Sequence, residues 1–300
     1  MQHKTIFILL VAIALNSCNH QPDKAPATAN NQASPAPKSF TGLCMQILPK
    51  NLQVVPNKAN DTSFISLPLT WPDEDIYDLR WKQKDITVSF WGGEQNMNTK
   101  IFSIATEWEQ YANIHFVRLP DGTCPSDISI GFIPGGTAWS QVGIYSRSTP
   151  NKPSMCYGLD GLRPDSPDSV YRSYVLHEFG HAIGLMHEQQ NPKENIPWNI
   201  PEVYYYYITY CGWDSAKTKM FVLDKLDDQW YNSTAWDKHS IMQYNIPKWL
   251  VLDSAYAAPY NWQISDTDKV YIQKLYPFDK VKHIANKLSQ SKTSPARPRL

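Results

Sequence analysis

The alternation of hydrophobic and polar positions becomes regular only after residue 85. From Ile86 to Trp91, apolar residues alternate with polar ones up to the pair Gly92-Gly93, which predicts a strand followed by a turn. After Asn98, apolar residues recur at helical spacing, which predicts an amphipathic helix with Asn98 as its N-cap. The apolar stripe of this helix consists of Ile101, Ile104, Ala105, Trp108 and Tyr111.

Further strands are predicted beyond this helix. Residues 113–118 and 127–132 have strand patterns, and residues 138–145, after a Gly-Gly pair, are predicted to form a strand at the edge of the sheet. A second helix is expected from about Asp168 onward. Strands and helices therefore alternate through the first half of the regular region.

The periodicity is lost downstream of residue 188, where prolines interrupt the chain repeatedly. It returns at Ser265, which forms a capping-box pattern with Asp268. The apolar positions that follow predict a final helix, ended by Pro277. We therefore expect an irregular segment between two helices.

The first 17 residues have the features of an export signal. Lys4 precedes an uninterrupted apolar run from Ile6 to Leu15, which is too short to span a bilayer as a mature helix. The sequence Leu-Asn-Ser-Cys that ends at Cys18 resembles a bacterial lipobox. A plain secretory peptide with an incidental cysteine is the alternative. We therefore expect an exported bacterial lipoprotein, anchored to a membrane through lipidated Cys18 and facing the periplasm or the cell surface.

The segments that flank the regular part differ in composition. Residues 18–39 are rich in Pro, Ala, Asn and Gln and predict a flexible tether. Residues 40–80 are expected to form a propeptide or an N-terminal wrap, which leaves residues 81–279 for the main domain. Residues 280–300 carry six Lys or Arg and no acidic residue. This basic tail is either disordered and solvated or in contact with anionic envelope polymers or lipids.

Charge and cysteine content limit the partners and the compartment. The chain has 28 basic and 28 acidic residues, so no global field favours nucleic acid as a partner. After export, Cys44, Cys124, Cys156 and Cys211 would lie in an oxidising compartment, where disulfides persist. Sequence does not choose among their pairings. We favour Cys124 with Cys156, because this pair would bracket the expected edge strand.

Three histidines near the middle of the chain stand at metal-binding spacing. The segment from His177 reads H-E-x-x-H-x-x-G-x-x-H. On a helix of about 100° per residue, His177 and His181 share one face. Gly184 can take a positive φ and end the helix, so that His187 returns as a third ligand. Three histidines with an open fourth position predict one catalytic Zn²⁺, with Glu178 placed to deprotonate a zinc-bound water.

An ordinary amphipathic helix that happens to carry histidines is the simpler explanation of this segment. A bare H-E-x-x-H arises by chance in roughly one chain of this length in a hundred. The glycine and the third histidine at fixed positions lower that frequency by roughly another two to three orders of magnitude. We therefore adopt the zinc interpretation.

A second motif, Ser240-Ile241-Met242-Gln243-Tyr244, lies downstream and is called the Met-turn below. With the zinc motif it resembles the metzincin metallopeptidases, in which such a turn places a methionine beneath the metal. The S-x-M-x-Y form, and Glu188 directly after the third histidine, are similar to the astacin family. The resemblance implies that Met242 is the floor under the ligands. It also implies that Tyr244 approaches the zinc and hydrogen-bonds the developing oxyanion.

The resemblance also implies a fold and an activity. The fold would be α+β, a metzincin-like two-lobed catalytic domain over residues 81–279. Its upper lobe would be a twisted mixed sheet with two helices, and its lower lobe would be irregular with a C-terminal helix. The activity would be that of a zinc-dependent endopeptidase acting on protein or peptide substrates, with the zinc between the lobes.

Latency is expected, because an unrestrained protease in the envelope would be hazardous. Cys44 is a candidate, in the latent form only, to offer its thiolate to zinc, as in the cysteine switch of other metzincins. A disulfide is the alternative role for Cys44. If the chain is processed, the resemblance implies that the new amino group pairs with Glu188.

Two other classes of function stay open. A zinc-holding adhesion or glycan-binding lipoprotein would not cleave, although intact Glu178 argues against it. A zinc hydrolase of cell-wall amides would act on a non-peptide bond, although the metzincin spacing disfavours it. Peptide hydrolysis that a chelator abolishes would distinguish the endopeptidase from both.

Overall fold

The computed structural model describes residues 43–47, 79–148, 152–226 and 234–278. The expected signal segment with Cys18, the tether, most of the 40–80 segment and the 280–300 tail lie outside these ranges. Those assignments, and the domain boundaries, therefore stay predictions. None of the helices in the described ranges is long and apolar enough to cross a bilayer.

A six-stranded mixed sheet forms one layer of the fold. Its strands are β1 (Leu43–Ile47), β2 (Asp85–Trp91), β3 (His115–Arg118), β4 (Ile128–Ile133), β5 (Thr137–Gln141) and β6 (Met155–Gly158). The order across the sheet is β1-β5-β6-β4-β2-β3. Only the β5–β6 pair is antiparallel. The strands predicted before residue 133 are confirmed as β2, β3 and β4.

β5 is not the edge strand that the pattern of residues 138–145 suggested. β1 pairs with it in parallel along its whole length, with Cys44 opposite Ala138. β1 belongs to the segment expected to be a propeptide or wrap, where no alternation predicted a strand. The prediction of an edge over residues 138–145 was therefore wrong, because a strand from far upstream covers β5.

Two helices pack together beside the sheet, α1 (Gln95–Ala105) and α2 (Asp168–Ala182), and α2 also contacts β5. α1 begins before Asn98, and its N-cap is Glu94. Asn98 is buried inside the helix, where its Nδ2 donates to Gly92 O and to Asp121 Oδ2, each at 3.0 Å. The N-cap prediction for Asn98 was therefore wrong, because this side chain holds the turn between β2 and α1.

The chain after residue 188 contains more helix than its pattern indicated. The helices are α3 (Ile200–Cys211), α4 (Ser215–Thr218) and α5 (Asp266–Leu275). α3 was not predicted, because residues 204–207 are four consecutive tyrosines with no polar contrast between faces. Pro201 lies in the first turn of α3, where a missing N–H costs little. The predicted capping box of Ser265 and Asp268 is present at the start of α5.

Two large apolar clusters contain most of the buried apolar side chains in the described residues, and a third, small one contains Leu79, Val142 and Met186. The first lies between the sheet, α1 and α2, and in it the rings of Phe116 and Phe179 meet edge to face at 5.1 Å. α5 packs into this cluster, so residues 79–186 and 265–278 are called the upper region. The second cluster is rich in aromatic side chains, such as Tyr206 and Trp213. Residues 187–226 and 234–264 are called the lower region, although Ile241, Met242 and Ile264 within it pack into the first cluster. The fold class expected from the sequence, a mixed sheet with two helices above an irregular part that ends in a C-terminal helix, is the one observed. The C-terminal helix α5, however, packs into the first cluster.

No disulfide bond links the cysteines within the described ranges. Cys156 is a buried thiol in β6, and burial raises its pKa to about 11. Cys124, in contrast, is exposed. The expected Cys124–Cys156 disulfide was therefore wrong, because one residue lies inside the sheet and the other at the surface.

Candidate metal centre

The three motif histidines converge on one point. His177 and His181 lie in the last turns of α2, and Gly184 follows with φ of +100°. The chain then turns back, so that Nε2 of His187 lies 3.1 Å from Nε2 of His181. One ring nitrogen from each of the three side chains lies within 4.8 Å of the others. The helix break expected at Gly184 is therefore present, and it brings the three expected ligands together.

Backbone carbonyls fix the tautomers of the first two histidines. Nδ1 of His177 lies 2.8 Å from Ile241 O, and Nδ1 of His181 lies 2.8 Å from Leu185 O. Because a carbonyl oxygen only accepts, each Nδ1 carries the hydrogen and each Nε2 keeps its lone pair. Nε2 of His177 is buried without a hydrogen-bond partner. An orphaned imidazole lone pair beside two others fits a zinc ion, which prefers such ligands.

The electrostatics of the site keep these imidazoles neutral. Burial lowers the pKa of His177 to about 4. Burial also lowers the pKa of His181 and of His187 well below the usual value, and the neighbouring imidazoles lower both further. At neutral pH the group therefore offers three unprotonated ligands, which is the form that binds zinc.

Glu178 and Tyr244 lie beside the ligands. Glu178 is 1% exposed and lines a cavity of about 30 Å³ together with His177 and Tyr244. The ring of Tyr244 lies 4.6 Å from the ring of His187, at an angle of 60°. The structure thus brings both expected catalytic side chains to the edge of the histidine group.

The Met-turn lies under the last turns of α2. Met242 is 2% exposed, and its Sδ packs against the backbone of Gly180 so closely that a Cβ there would overlap it. Its carbonyl accepts a hydrogen bond from Glu188 N at 3.0 Å. The expected position of Met242 as an apolar floor agrees with these contacts.

Glu188 lines a second cavity, to which the ligand His187 also contributes. This cavity, of about 70 Å³, is also lined by Asp268 and Tyr271. Oε1 of Glu188 accepts hydrogen bonds from Asn191 Nδ2 at 3.0 Å and from Asp237 N at 2.9 Å. Burial raises the pKa of Glu188 to about 7. A buried carboxyl group beside a cavity is suited to receive a cationic group.

The side chain that holds the third ligand in place, that of Gln190, was not predicted from the sequence. Gln190 donates from Nε2 to Met220 O at 2.8 Å and to Asp224 O at 2.9 Å. Its side chain is also hydrogen-bonded to His187. A glutamine two residues before Pro192 has the sequence pattern of an exposed loop residue, so no local signal indicated this role.

The remaining predicted site residues lie in the N-terminal part. The backbone of Cys44 belongs to β1, whereas its side chain is outside what the structure describes. Cys18 lies outside the described ranges altogether. The structure therefore tests neither the thiolate role of Cys44 nor the lipidation of Cys18.

Comparisons with known proteins give a consistent result. A structure of myroilysin is 32% identical to this chain, covers 67% of it and 97% of the myroilysin chain, and superposes with a TM-score of 0.63. A crystal structure of myroilysin is 28% identical, covers 79% of this chain and 92% of its own, and gives a TM-score of 0.54. No protein-family model matches the chain.

A curated relative matches a shorter stretch. Protein SpAN from Strongylocentrotus purpuratus is 29% identical over 124 residues, which are 40% of this chain and 18% of SpAN. The chain therefore spans less than a fifth of that relative. The match to myroilysin extends over nearly all of that protein. Together with the buried three-histidine group, it shows that the chain belongs to the astacin family of zinc metalloproteases, with a single catalytic zinc ion as cofactor.

Proposed function

We propose that this chain is a zinc-dependent endopeptidase in which Glu178 is the general base. The observation that carries the proposal is the shared cavity. His177, Glu178 and Tyr244 line one space of about 30 Å³. A metal ligand, a proton acceptor and a hydrogen-bond donor therefore face the same small volume. Zinc-assisted peptide hydrolysis uses these three kinds of group together.

The zinc ion, held by His177, His181 and His187, would supply Lewis acidity to the scissile carbonyl and to the attacking water. The side chains do the remaining work. Glu178 takes a proton from the water as its oxygen attacks the carbonyl carbon, and passes that proton to the leaving amine as the C–N bond breaks. Tyr244 donates a hydrogen bond to the oxygen that gains negative charge.

Replacement of Glu178 by Ala tests the role of the base. We expect the variant to bind zinc like the wild type and to lose roughly 10²–10⁴-fold in kcat. Turnover of a peptide library and zinc content are measured on the zinc-loaded protein, with and without chelator. Glu202→Ala, at an exposed position of α3, is the matched control and should change neither. Proteolysis by Glu178→Ala near the wild-type rate would rule out this mechanism.

Tyr244→Phe tests the oxyanion donor separately. Loss of the hydroxyl should lower kcat roughly 10²-fold and leave KM nearly unchanged, because the contact forms mainly in the transition state. An unchanged kcat would mean that Tyr244 only packs against His187.

Release of cell-wall fragments without any peptide cleavage would instead favour the amide-hydrolase alternative.

We further propose that the described form is latent. β5 pairs with β6 on one side, and β1 occupies its other side. Met45 in β1 packs against the cluster that contains Tyr244. An extended substrate that pairs with β5 would need the same backbone groups, so β1 must leave first. Removal of residues 40–80 by limited proteolysis should therefore raise peptidase activity at least severalfold. If activity is the same before and after cleavage, this form of latency is excluded.

In the latent form, Cys44 would bind the zinc through its thiolate. Alkylation of the full chain, followed by mass mapping, tests this role. Zinc should protect Cys44 from the reagent, whereas exposed Cys124 reacts equally with and without zinc. Equal reaction of Cys44 under both conditions, or its presence in a disulfide, would end the switch proposal.

After processing, the new amino group would enter the 70 Å³ cavity and pair with Glu188. Glu188→Gln should then lower the activity of the processed enzyme and leave the zinc content unchanged. A fully active enzyme with an extended N-terminus would contradict this pairing.

Membrane anchoring through Cys18 is the last part of the proposal. Cys18→Ser should move the exported protein from the membrane fraction to the soluble fraction, because stable anchoring needs several acyl chains. A chain that ends at residue 279 tests whether the basic tail adds contacts with anionic envelope polymers. Unchanged fractionation of both variants would exclude both forms of attachment.

A further inference from the structure

One buried side chain, Asp268, fastens the Met-turn to α5. Its Oδ1 accepts a hydrogen bond from Ser240 Oγ at 2.7 Å, and its Oδ2 accepts from Ile241 N at 2.8 Å. Ser240 Oγ in turn accepts from Met242 N at 3.0 Å. Asp268 is 6% exposed. A single carboxylate therefore fixes the two residues that precede the methionine.

The opposite side of the same turn contacts the metal centre. The carbonyl of Ile241 accepts the hydrogen bond from His177 Nδ1 at 2.8 Å. Ile241 thus links two side chains through its own backbone, because its N–H binds Asp268 and its C=O binds His177. The orientation of the His177 ring depends on where this carbonyl points, and the carbonyl depends on the anchoring of the turn.

Helix capping alone does not account for these contacts. As part of the capping box, Asp268 accepts from Ser265 N at 2.9 Å, and its N–H donates to Ser265 Oγ at 3.1 Å. The contacts with Ser240 and Ile241 are additional, and they cross 28 and 27 positions of the chain. A carboxylate is buried at low cost only when its oxygens are satisfied, and three donors satisfy this one. The Met-turn supplies two of the three.

We infer that Asp268 is a positioning residue of the metal centre, which holds the Met-turn so that the Ile241 carbonyl orients His177 toward the zinc. Outer partners of this kind set the tautomer and the direction of a ligating histidine. The inference rests on the proposed function only in taking His177 as a zinc ligand.

The experiment compares four variants of the full chain. Asp268→Ala removes both contacts with the Met-turn, and Asp268→Asn keeps one acceptor oxygen in the same shape. Ser265→Ala breaks the capping box without touching the Met-turn. Asp266→Asn is the matched control, because Asp266 lies in the same helical turn, is 97% exposed and pairs with exposed Lys269.

Three quantities are measured on each variant. Zinc affinity is obtained by competition with a chromophoric chelator. The visible absorption of the Co²⁺-substituted protein reports ligand geometry. Urea unfolding of the zinc-free protein gives its stability. The last measurement separates a loss of fold from a loss of ligand orientation.

We expect Asp268→Ala to weaken zinc binding roughly 10–100-fold and to shift the Co²⁺ spectrum, with Asp268→Asn between it and the wild type. Ser265→Ala should lower the stability of the zinc-free protein but change zinc affinity less than about twofold. Asp266→Asn should change neither. Equal losses of zinc affinity in Asp268→Ala and Ser265→Ala would reduce Asp268 to a helix cap and overturn the inference.

A further variant covers the case in which Asp268→Ala does not fold. Ser240→Ala keeps the bond from Ile241 N to Asp268, but it loses the bond to Asp268 Oδ1 and the acceptor for Met242 N, so zinc affinity should fall about as much as for Asp268→Asn. Wild-type affinity in both Ser240→Ala and Asp268→Asn would overturn the inference. A wild-type protein that binds no zinc at the histidines would instead refute the proposed function, so the two failures are distinguishable.

Discussion

The upper and lower regions hold their zinc ligands by different means. In the upper region, His177 and His181 lie on α2, a regular helix whose Phe179 packs into the main apolar cluster. In the lower region, His187 is the N-cap of a single 3-10 turn, Glu188–Gln190, and hydrogen bonds from side chains such as Gln190 to backbone carbonyls hold that segment. Packing thus holds the helix that carries the first two ligands, and polar contacts hold the segment that carries the third.

This difference indicates how each region should fail. A packed core loses stability as a unit, because its side chains share many neighbours. Hydrogen bonds between a loop side chain and a backbone carbonyl contribute about 1 kcal/mol each and act locally. We therefore expect changes in the upper region to unfold the domain, and changes in the lower region to loosen His187 and its neighbours alone.

The largest effect is expected from Phe179→Ala in the upper region. Phe179 is fully buried and packs edge to face on Phe116. Its truncation should lower the unfolding free energy by about 3–5 kcal/mol, as for other large core aromatics. Urea unfolding of the zinc-free protein measures the loss. Val270→Ala, on the exposed side of α5, is the control and should stay within about 0.5 kcal/mol. If Phe179→Ala keeps wild-type stability but loses zinc binding, the upper region does not respond as a packed unit and the difference between the regions is not the one described.

The second effect is acid destabilisation of the zinc-free protein. The folded pKa of His177 is about 4, below its ordinary value of 6.5, so the unfolded chain binds more protons in between. Stability is therefore lost as pH falls from 6.5 toward 4, by about 3 kcal/mol for His177 alone. His181 and His187 act in the same direction. Urea unfolding at several pH values, after chelation, measures the slope.

Glu188 changes the stability of the zinc-free protein with pH in the opposite direction, so its replacement serves as a control. Its folded pKa of about 7 exceeds the ordinary 4.5, so its contribution is lost as pH rises through that interval. Glu188→Gln should therefore steepen the acid loss, whereas His177→Asn should flatten it. If neither variant alters the dependence of stability on pH, these buried side chains do not titrate as described. The metal centre then does not couple the two regions.

The features that the sequence predicted are the local ones, and those that it did not predict depend on distant residues. The spacing of His177 and His181 and the glycine at 184 were sufficient to place the helix and its end, because those residues act within a turn of one another. The pairing of β1 with β5, and the roles of Gln190 and Asp268, were not predicted. Their partners lie tens of residues away and follow no period, so no local pattern records them. Asp268 was recognised as a cap and not as the anchor of the Met-turn.

The third effect is expected where the two regions meet, at Gly180 and Met242. Alanine is favoured over glycine inside a helix by up to about 1 kcal/mol. At position 180, however, the added methyl group would overlap Met242 Sδ. Gly180→Ala should therefore cost about 1–3 kcal/mol of stability and weaken zinc binding. In a double-mutant cycle with Met242→Ala, the added methyl should cost much less. Additive effects would mean that this contact does not join the two regions.

The smallest effect is expected from Gln190→Ala in the lower region. The variant loses the donors to Met220 O and Asp224 O, and should lower the unfolding free energy by about 1–2 kcal/mol. Amide hydrogens of residues 219–226 should exchange faster, because this segment is held by those bonds. Zinc affinity should fall less than about tenfold, since His177 and His181 keep their carbonyl partners.

Hydrogen exchange followed by mass spectrometry distinguishes a local effect from a global one. In Gln190→Ala, exchange of α2 should stay at the wild-type rate, because its protection comes from the apolar cluster and not from Gln190. Gln263→Ala, at an exposed position without such bonds, should leave both segments unchanged. Faster exchange of α2 to the same extent as residues 219–226 would show that the two regions open as one unit, and that packing and polar contacts do not divide the work of holding the metal.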